Sequence, residues 1–292
     1  MKKGMALLLA AVLAMGCLMT GCGSSAKETT ADTAGETAAA EGTETEAAGT
    51  EAAGEERTTF IVGFDASFPP YGYQENGEYV GFDLDLAQEV CDRNGWELVK
   101  TPIDWDAKDM ELNSGAIDCI WNGFTINGRE DDYTWTEPYI NNTQVFAVNK
   151  DSGITSAADL AGKSVLFQAD SSALAALQDE ENADIKALTD SFGSLTEVQD
   201  YETALMELEA GSADAVAMDE GVALAKQAKN DKIVILEDII SQEQYGIGFK
   251  KGNDALRDQV WATLLEMEAD GTVDKIAAKY PSINVENICI GQ

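Results

Sequence analysis

From residue 60 onward the chain alternates short apolar runs with stretches in which apolar side chains recur every three or four positions. The run 60–64 (Phe-Ile-Val-Gly-Phe) predicts a strand. Over 82–93, Leu84, Leu86, Ala87, Val90 and Cys91 share one side of a helix that Asn94-Gly95 stops. A strand around Leu98, a helix over 107–114 and a strand over 117–121 follow. A second series begins at Ser156, with a strand over 163–167, helices over 171–180 and 196–210, a strand over 213–218 and a helix over 221–228. Regular alternation of this kind predicts an α/β fold with mainly parallel sheets flanked by helices.

One stretch of the pattern returns. Residues 110–118 (Met-Glu-Leu-Asn-Ser-Gly-Ala-Ile-Asp) align with 206–214 (Met-Glu-Leu-Glu-Ala-Gly-Ser-Ala-Asp) at an offset of 96, with five of nine positions identical. Each copy reads as a helix end, a glycine stop and a strand. The echo supports two similar lobes, in which 121–123 and 217–219 lie just past the carboxyl ends of equivalent strands. Ligands of open α/β sheets bind in that place.

The first 57 residues have a different pattern. Lys2 and Lys3 precede an apolar run over 5–19, too short to span a bilayer and suited to an export signal. The sequence Leu18-Met19-Thr20-Gly21-Cys22-Gly23-Ser24-Ser25 resembles the lipobox of bacterial lipoproteins. That resemblance implies removal of 1–21 and acylation of Cys22. Ala14-Met15-Gly16-Cys17 is a poorer rival, because cleavage there leaves Leu18 and Met19 on the mature end. Residues 23–57 hold nine acidic and two basic side chains and no Val, Ile, Leu or aromatic residue. Such a segment cannot build a core, so 22–57 reads as a lipidated cysteine with a disordered acidic tether of roughly 30 Å or more.

Charge and composition narrow the function. With 19 Lys+Arg, 53 Asp+Glu and no histidine, the net charge is −34 and the pI about 4.1. A surface so acidic is unsuited to nucleic acid or to direct docking on an anionic membrane. Without imidazole there is no Ser-His-Asp triad, no Cys-His pair and no His-ligated metal, and no metal or cofactor is expected. Cys91, Cys119 and Cys289 make an odd number in the folded part, which leaves at least one thiol free or in an intermolecular bond. Cys91 and Cys119 fall on apolar positions, as packed thiols do.

Four places could carry chemistry. After the first strand, Asp65-Ala66-Ser67-Phe68-Pro69-Pro70-Tyr71 is a proline-stiffened loop whose Phe68 and Tyr71 could wall a small ligand or pack on their own lobe. Arg129, one of four arginines, has a planar fork suited to a carboxylate; the neighbouring Glu130, Asp131 and Asp132 are the alternative partners. Asp219, preceded by apolar residues, needs a cation or a helix to cap. Residues 168–173 (Gln-Ala-Asp-Ser-Ser-Ala) stand between a strand and a helix, where free N–H groups and the Ser171 and Ser172 hydroxyls can hold an anion or simply cap the helix.

Seven ordered stretches carry a resemblance: Val62-Gly63-Phe64-Asp65 through Pro70-Tyr71; Gly81-Phe82-Asp83-Leu84-Asp85-Leu86-Ala87; Asp104-Trp105-Asp106; 123–129; Glu137-Pro138-Tyr139; Tyr245-Gly246-Ile247-Gly248-Phe249; and Asp270-Gly271-Thr272. From Phe60 to about Pro281 the chain resembles the polar amino-acid-binding family of ABC-transporter solute-binding proteins. The resemblance implies a two-lobed clamshell, with lobe 1 over 58–146 plus 241–292, lobe 2 over 147–240, and crossings near 145–149 and 238–244. It implies that a free amino acid places its carboxylate on Arg129, Thr125 and the Ser172 backbone. The ammonium would go to Asp219 and a carbonyl near Asn122 or Gly123. Phe68, Trp105 and Tyr71 would flank the side chain, and Asp65 and Gln168 would face its tip.

Two departures from the family pattern touch the carboxylate site. Thr125 to Arg129 is one residue short, and Asp170 stands where glycine is usual, an anion that must turn away, for instance to cap its helix. The absence of lysine from the matched side-chain positions favours a neutral polar or cationic ligand over Glu or Asp. The expected role is that of a monomeric, lipid-anchored binding component, on the outer face of a Gram-positive-type membrane, which delivers an L-amino acid to an ABC permease and its ATPase. The alternatives are a dehydratase-like enzyme on the same scaffold or a sensory module without transport.

Overall fold

The computed structural model describes residues 57–292; the export signal, Cys22 and nearly all of the acidic tether lie outside the described residues. The first element, β1 (Thr59–Phe64), leads through two short strands, β2 (Ser67–Phe68) and β3 (Gly72–Glu75), to β4 (Glu78–Val80) and α1 (Phe82–Asn94). Next come β5 (Glu97–Pro102), α2 (Lys108–Ser114), β6 (Cys119–Thr125), β7 (Thr134–Trp135) and the long β8 (Ile140–Asn149). The second half holds β9 (Ser164–Gln168), α3 (Ser172–Leu177), α4 (Ala183–Asp190), β10 (Ser194–Val198), α5 (Tyr201–Ala210), β11 (Ala215–Asp219) and α6 (Glu220–Lys229). The chain then returns along β12 (Ile233–Phe249) and ends in α7 (Asp254–Ala269) and α8 (Thr272–Ala277). Among the described residues no helix is long and apolar enough to cross a membrane.

The strands form one mixed sheet in the order β10-β9-β11-β8-β12-β6-β1-β5, with β7 on β12, and β2, β3 and β4 make a separate small sheet. At each end the pairing is parallel: β5-β1-β6 in lobe 1 and β10-β9-β11 in lobe 2. The antiparallel strands β8 and β12 join the two. Over 141–143 and 242–244 they pair only with each other, before β6 and β7 take up β12 on one side and β11 takes up β8 on the other. Phe60, Val62, Phe64, Leu84, Leu86, Val90 and Trp121 pack the first lobe; Phe146, Val148, Leu160, Val165 and Leu177 pack the second.

The sequence echo is an echo in structure. α2 ends on Gly115 and α5 on Gly211, both left-handed, each cap N–H donating back to the last turn. Then Asp118 accepts from the backbone N–H of Ile61 at 2.8 Å and pairs with Arg57, while Asp214 accepts from that of Ser164 at 2.9 Å and pairs with Lys163. Each aspartate thereby pins the start of the neighbouring parallel strand. The helix expected over 196–210 requires correction. Residues 194–198 are strand β10, parallel to β9, and α5 begins only after Asp200, whose side chain caps it by accepting from Thr203 N–H. Continuous helical spacing through Leu195 and Val198 hid a half-exposed edge strand. Cys91 and Cys119 are buried and free and Cys289 half-buried and free; burial pushes the Cys91 thiol up to about 12.

Candidate functional site

The carboxyl ends of β1, β6, β9 and β11 and the starts of α3 and α5 converge between the lobes. Lobe 1 brings Phe68, Trp105, Gly123, Thr125 and Arg129 to a cavity of about 20 Å3; lobe 2 brings Gln168, Ser171, Ser172, Tyr201 and Asp219. That is room for about one water and far too little for an amino acid. The lobes are therefore shut, and anything as large as an amino acid enters only when they part. Direct contacts hold them: Gln168 Nε2 donates to Asp65 Oδ2 at 2.7 Å, Phe68 stacks on Tyr201 at 5.9 Å, and an Arg129 N–H donates to the Asp170 carbonyl at 3.0 Å.

Nine of the twelve residues anticipated from sequence line this cavity. The other three lie beside it. Asp65 reaches it through Gln168 and lines an adjoining cleft of about 500 Å3 together with Asp104, Trp105, Glu111 and Asp200. Asn122 is buried behind it, where its Oδ1 accepts the Asp65 backbone N–H at 2.9 Å. Tyr71 is 3% exposed and away from the cavity, edge-on to Tyr245 at 5.4 Å, with its hydroxyl against Gly221 of α6. It seals the lobe contact from behind.

Glycine is required at two of these positions. Gly123 has φ 58°, and a Cβ there would lie 2.8 Å from Phe68 and 3.0 Å from Tyr245. A Cβ on Gly221 would lie 2.4 Å from the Tyr71 hydroxyl. Backbone and ring can close on each other only where no side chain intervenes.

Arg129 makes no ion pair with Glu130, Asp131 or Asp132. Its guanidinium lies over the Phe124 ring at 5.4 Å, and its N–H groups reach the carbonyls of Thr125 and Asp170. The short loop is closed by an Arg129 N–H to Ile126 carbonyl bond of 2.9 Å, and Trp135 Nε1 donates to the Arg129 carbonyl at 2.9 Å. Asp170 does not cap α3. Ser171 does, accepting from Leu174 N–H, while Asp170 sits at φ 51° and turns its carboxylate to Lys108 of the other lobe. Lys108 is 1% exposed, so it is a buried cation dedicated to that anion.

Asp219 precedes α6 but its side chain caps nothing. Its Oδ1 accepts from Gln144 at 2.7 Å, Asn142 at 3.0 Å and the Tyr245 hydroxyl at 2.5 Å; its Oδ2 accepts from the Tyr201 hydroxyl at 2.9 Å. Burial and the nearby Glu243 carboxylate hold its pKa well above the usual carboxylate range in spite of these donors. Burial also raises Asp65, against donors on Ser67 and Gln168. Asp83, fully buried, accepts from the Gly123 N–H at 2.7 Å and the Tyr139 hydroxyl at 2.8 Å and fixes the Gly123 turn from below; burial lifts it to about 7.

Sequence reasoning missed Tyr201, Lys108 and the Asn142, Gln144, Glu243 and Tyr245 group. For Tyr201 a signal existed. At the same offset of 96 it corresponds to Trp105, and Asp200 to Asp104, so the echo extended six residues upstream places an aromatic of each lobe on the cavity. No metal-binding cluster of three or more Cys, Asp or Glu side chains occurs among the described residues.

Residues 60–282 match the family described as bacterial extracellular solute-binding proteins, family 3. The L-cystine-binding protein TcyJ of Escherichia coli strain K12 is 29% identical over 232 residues, which cover 77% of this chain and 84% of that one. A histidine-bound substrate-binding protein of an ABC uptake transporter from Streptococcus pneumoniae shares the fold with a TM-score of 0.73 and 29% identity, over 78% of this chain and 94% of that one. An arginine-bound ancestral arginine-binding protein has a TM-score of 0.69 and 36% identity, over 78% of this chain and all of the other.

Proposed function

This chain belongs to the bacterial extracellular solute-binding proteins of family 3, and from that premise we propose that it captures a free L-amino acid between its lobes and presents it to an ABC permease. The observation that carries the reading is that one cavity presents a guanidinium from lobe 1, Arg129, and a carboxyl from lobe 2, Asp219. A zwitterion has one group for each. Bridging both lobes, it gains contacts in the closed state that the open state cannot offer, and so drives closure. The strands between the lobes, 141–143 and 242–244, are the place to bend; the first precedes the crossing expected near 145–149, because 144–148 already pair with β11 and Phe146 packs with lobe 2, and the second falls within the one expected near 238–244.

Thr125 and the Ser172 backbone assist the carboxylate, with Ser171 and the start of α3 behind them. Lys108 neutralises Asp170, which would otherwise repel it. The Asn122–Gly123 backbone assists the ammonium. Phe68, Trp105 and Tyr201 flank the side chain, with Tyr71 as a seal behind them, and Asp65 and Gln168 meet its tip. Beyond them the adjoining cleft carries Asp65, Asp104, Glu111 and Asp200 and no basic residue on its lining, which favours a cationic or neutral polar side chain and disfavours Glu and Asp.

A thermal-shift panel of the twenty L-amino acids with ornithine, citrulline and cystine tests this. A ligand at one hundred times its Kd adds about 2.7 kcal/mol, or about 5–11 °C at this size. Stabilisation by a few members, absent with their decarboxylated and deaminated analogues, is expected; a flat panel would remove amino-acid recognition and leave the fold. Mass spectrometry of the ligand after incubation, recovered unchanged, distinguishes binding from catalysis. The anchor is tested separately: Cys22→Ser should move the protein from membranes to the medium, and co-purification with a permease separates transport from sensing.

A further inference from the structure

The cavity has a second carboxylate behind it. Glu243, on β12, is 5% exposed, and its Oε1 accepts from Asn142 Nδ2 at 2.7 Å and Gln144 Nε2 at 2.8 Å. The same two nitrogens also donate to Asp219 Oδ1. Two buried acids, one at the end of β11 and one on β12, are thus clamped side by side by two shared amides of β8. Gln144 Oε1, buried on the same side chain, has no hydrogen-bond partner.

No cation answers this pair directly. The groups that face Asp219 are the Tyr201 hydroxyl from α5, Tyr245 and Glu243 from β12, Asn142 and Gln144 from β8, and Ser172 of α3 through Gln144. Tyr71 packs edge-on to Tyr245, and Glu220 is next in the chain. The tyrosines stay neutral donors, held well above their usual range by burial and by these anions. Arg129 lines the far side of the cavity with its guanidinium on carbonyls. A buried anion beside a second anion and without a cation takes up a proton, and an incoming ammonium reverses that preference.

We propose that Glu243 is a positioning residue of the ammonium site: clamped beside Asp219 by Asn142 and Gln144, it keeps a proton on the Asp219 carboxyl until a ligand ammonium displaces it. The inference rests on the amino-acid reading above and deepens it. The step is an exchange: Asp219 carboxylic acid and a ligand ammonium become a carboxylate–ammonium pair, and one proton passes to solvent. No covalent bond to the ligand forms and no electron is transferred. Affinity for an amine therefore falls as pH falls below the Asp219 midpoint, by about tenfold per unit at the limit.

Two measurements decide it. In the purified ligand-free protein, the 13C resonance of the Asp219 carboxyl is followed against pH; its midpoint should lie in the neutral range in wild type and drop by about one unit or more in Glu243→Gln. An unmoved midpoint, or one in the ordinary carboxylate range in wild type, overturns the proposal. Then L-arginine is titrated calorimetrically near pH 7 in two buffers of different ionisation enthalpy, with the panel member of largest shift used instead if arginine gives none. Wild type should release a large fraction of a proton, Glu243→Gln and Asp219→Asn almost none, and the affinity of Glu243→Gln should be flat between pH 6 and 8. Binding to wild type without proton release overturns the coupling. If no panel member binds, the amino-acid reading fails, and the ligand-free titration still decides the role of Glu243. Should Glu243→Gln not fold, the wild-type midpoint and the wild-type proton count decide.

Discussion

Asp219 is buried and Arg129 half-buried, and a charge partner seen through little water is expensive to lose. Arg129→Ala and Asp219→Ala should each weaken ligand binding by about 2–5 kcal/mol, since each strands one end of a desolvated zwitterion; calorimetry checks this, and an unchanged affinity in either variant removes that residue from the site. Asp83 gives a pH prediction. Its folded pKa of about 7 lies above the unfolded 3.8, so the folded state binds the proton more tightly. That contribution to stability is fully present below the unfolded value and is lost as pH rises through the folded one. Asp83→Asn, which cannot ionise, should therefore compare better with wild type at pH 8 than at pH 5 in melting temperature, and the opposite order would show that the donors on Gly123 and Tyr139 outweigh burial.

At the level of elements, α6 meets the other lobe through Gly221, where the Tyr71 hydroxyl occupies the space of a Cβ. Within a helix, Gly to Ala is favourable by about 1 kcal/mol, so Gly221→Ala should leave the open protein as stable or more so. In the closed state it is a wedge. We expect an affinity loss of about tenfold, or about 1.4 kcal/mol, with an increased radius of gyration in solution scattering at saturating ligand; unchanged affinity would mean that the Tyr71 contact does not belong to closure. Most elements were legible from sequence because amphipathic spacing and the Gly95 and Gly115 stops coincide with them. The edge strand β10 was not, because one half-exposed strand running into a capped helix mimics a longer helix. The candidate site was legible where a motif carried it, at Arg129 and Thr125. It was illegible at Lys108 and Glu243, whose partners are 62 residues away in one case and, at Asn142, 101 in the other, and become neighbours only through the sheet.

For the whole molecule the net charge of −34 sets a field that a cationic ligand feels before contact. The association rate of a cationic amino acid should fall as ionic strength rises, while that of a neutral one should hardly change, in stopped-flow fluorescence of Trp105, which lines the cavity. Equal salt dependence for both would locate the acidic surface away from the entry path. The matched clamps of Asp118 on Ile61 and Asp214 on Ser164 carry a geometric meaning. They fix equivalent parallel strands on the two sides of the cleft, so that the cleft is a seam between two like halves. A seam of that kind offers the same groups to both ends of whatever it holds. At the offset of 96, Gly123 now stands opposite Asp219. One half offers a bare backbone and the other an acid, and with that difference the seam has a direction, able to tell head from tail in a molecule that has both.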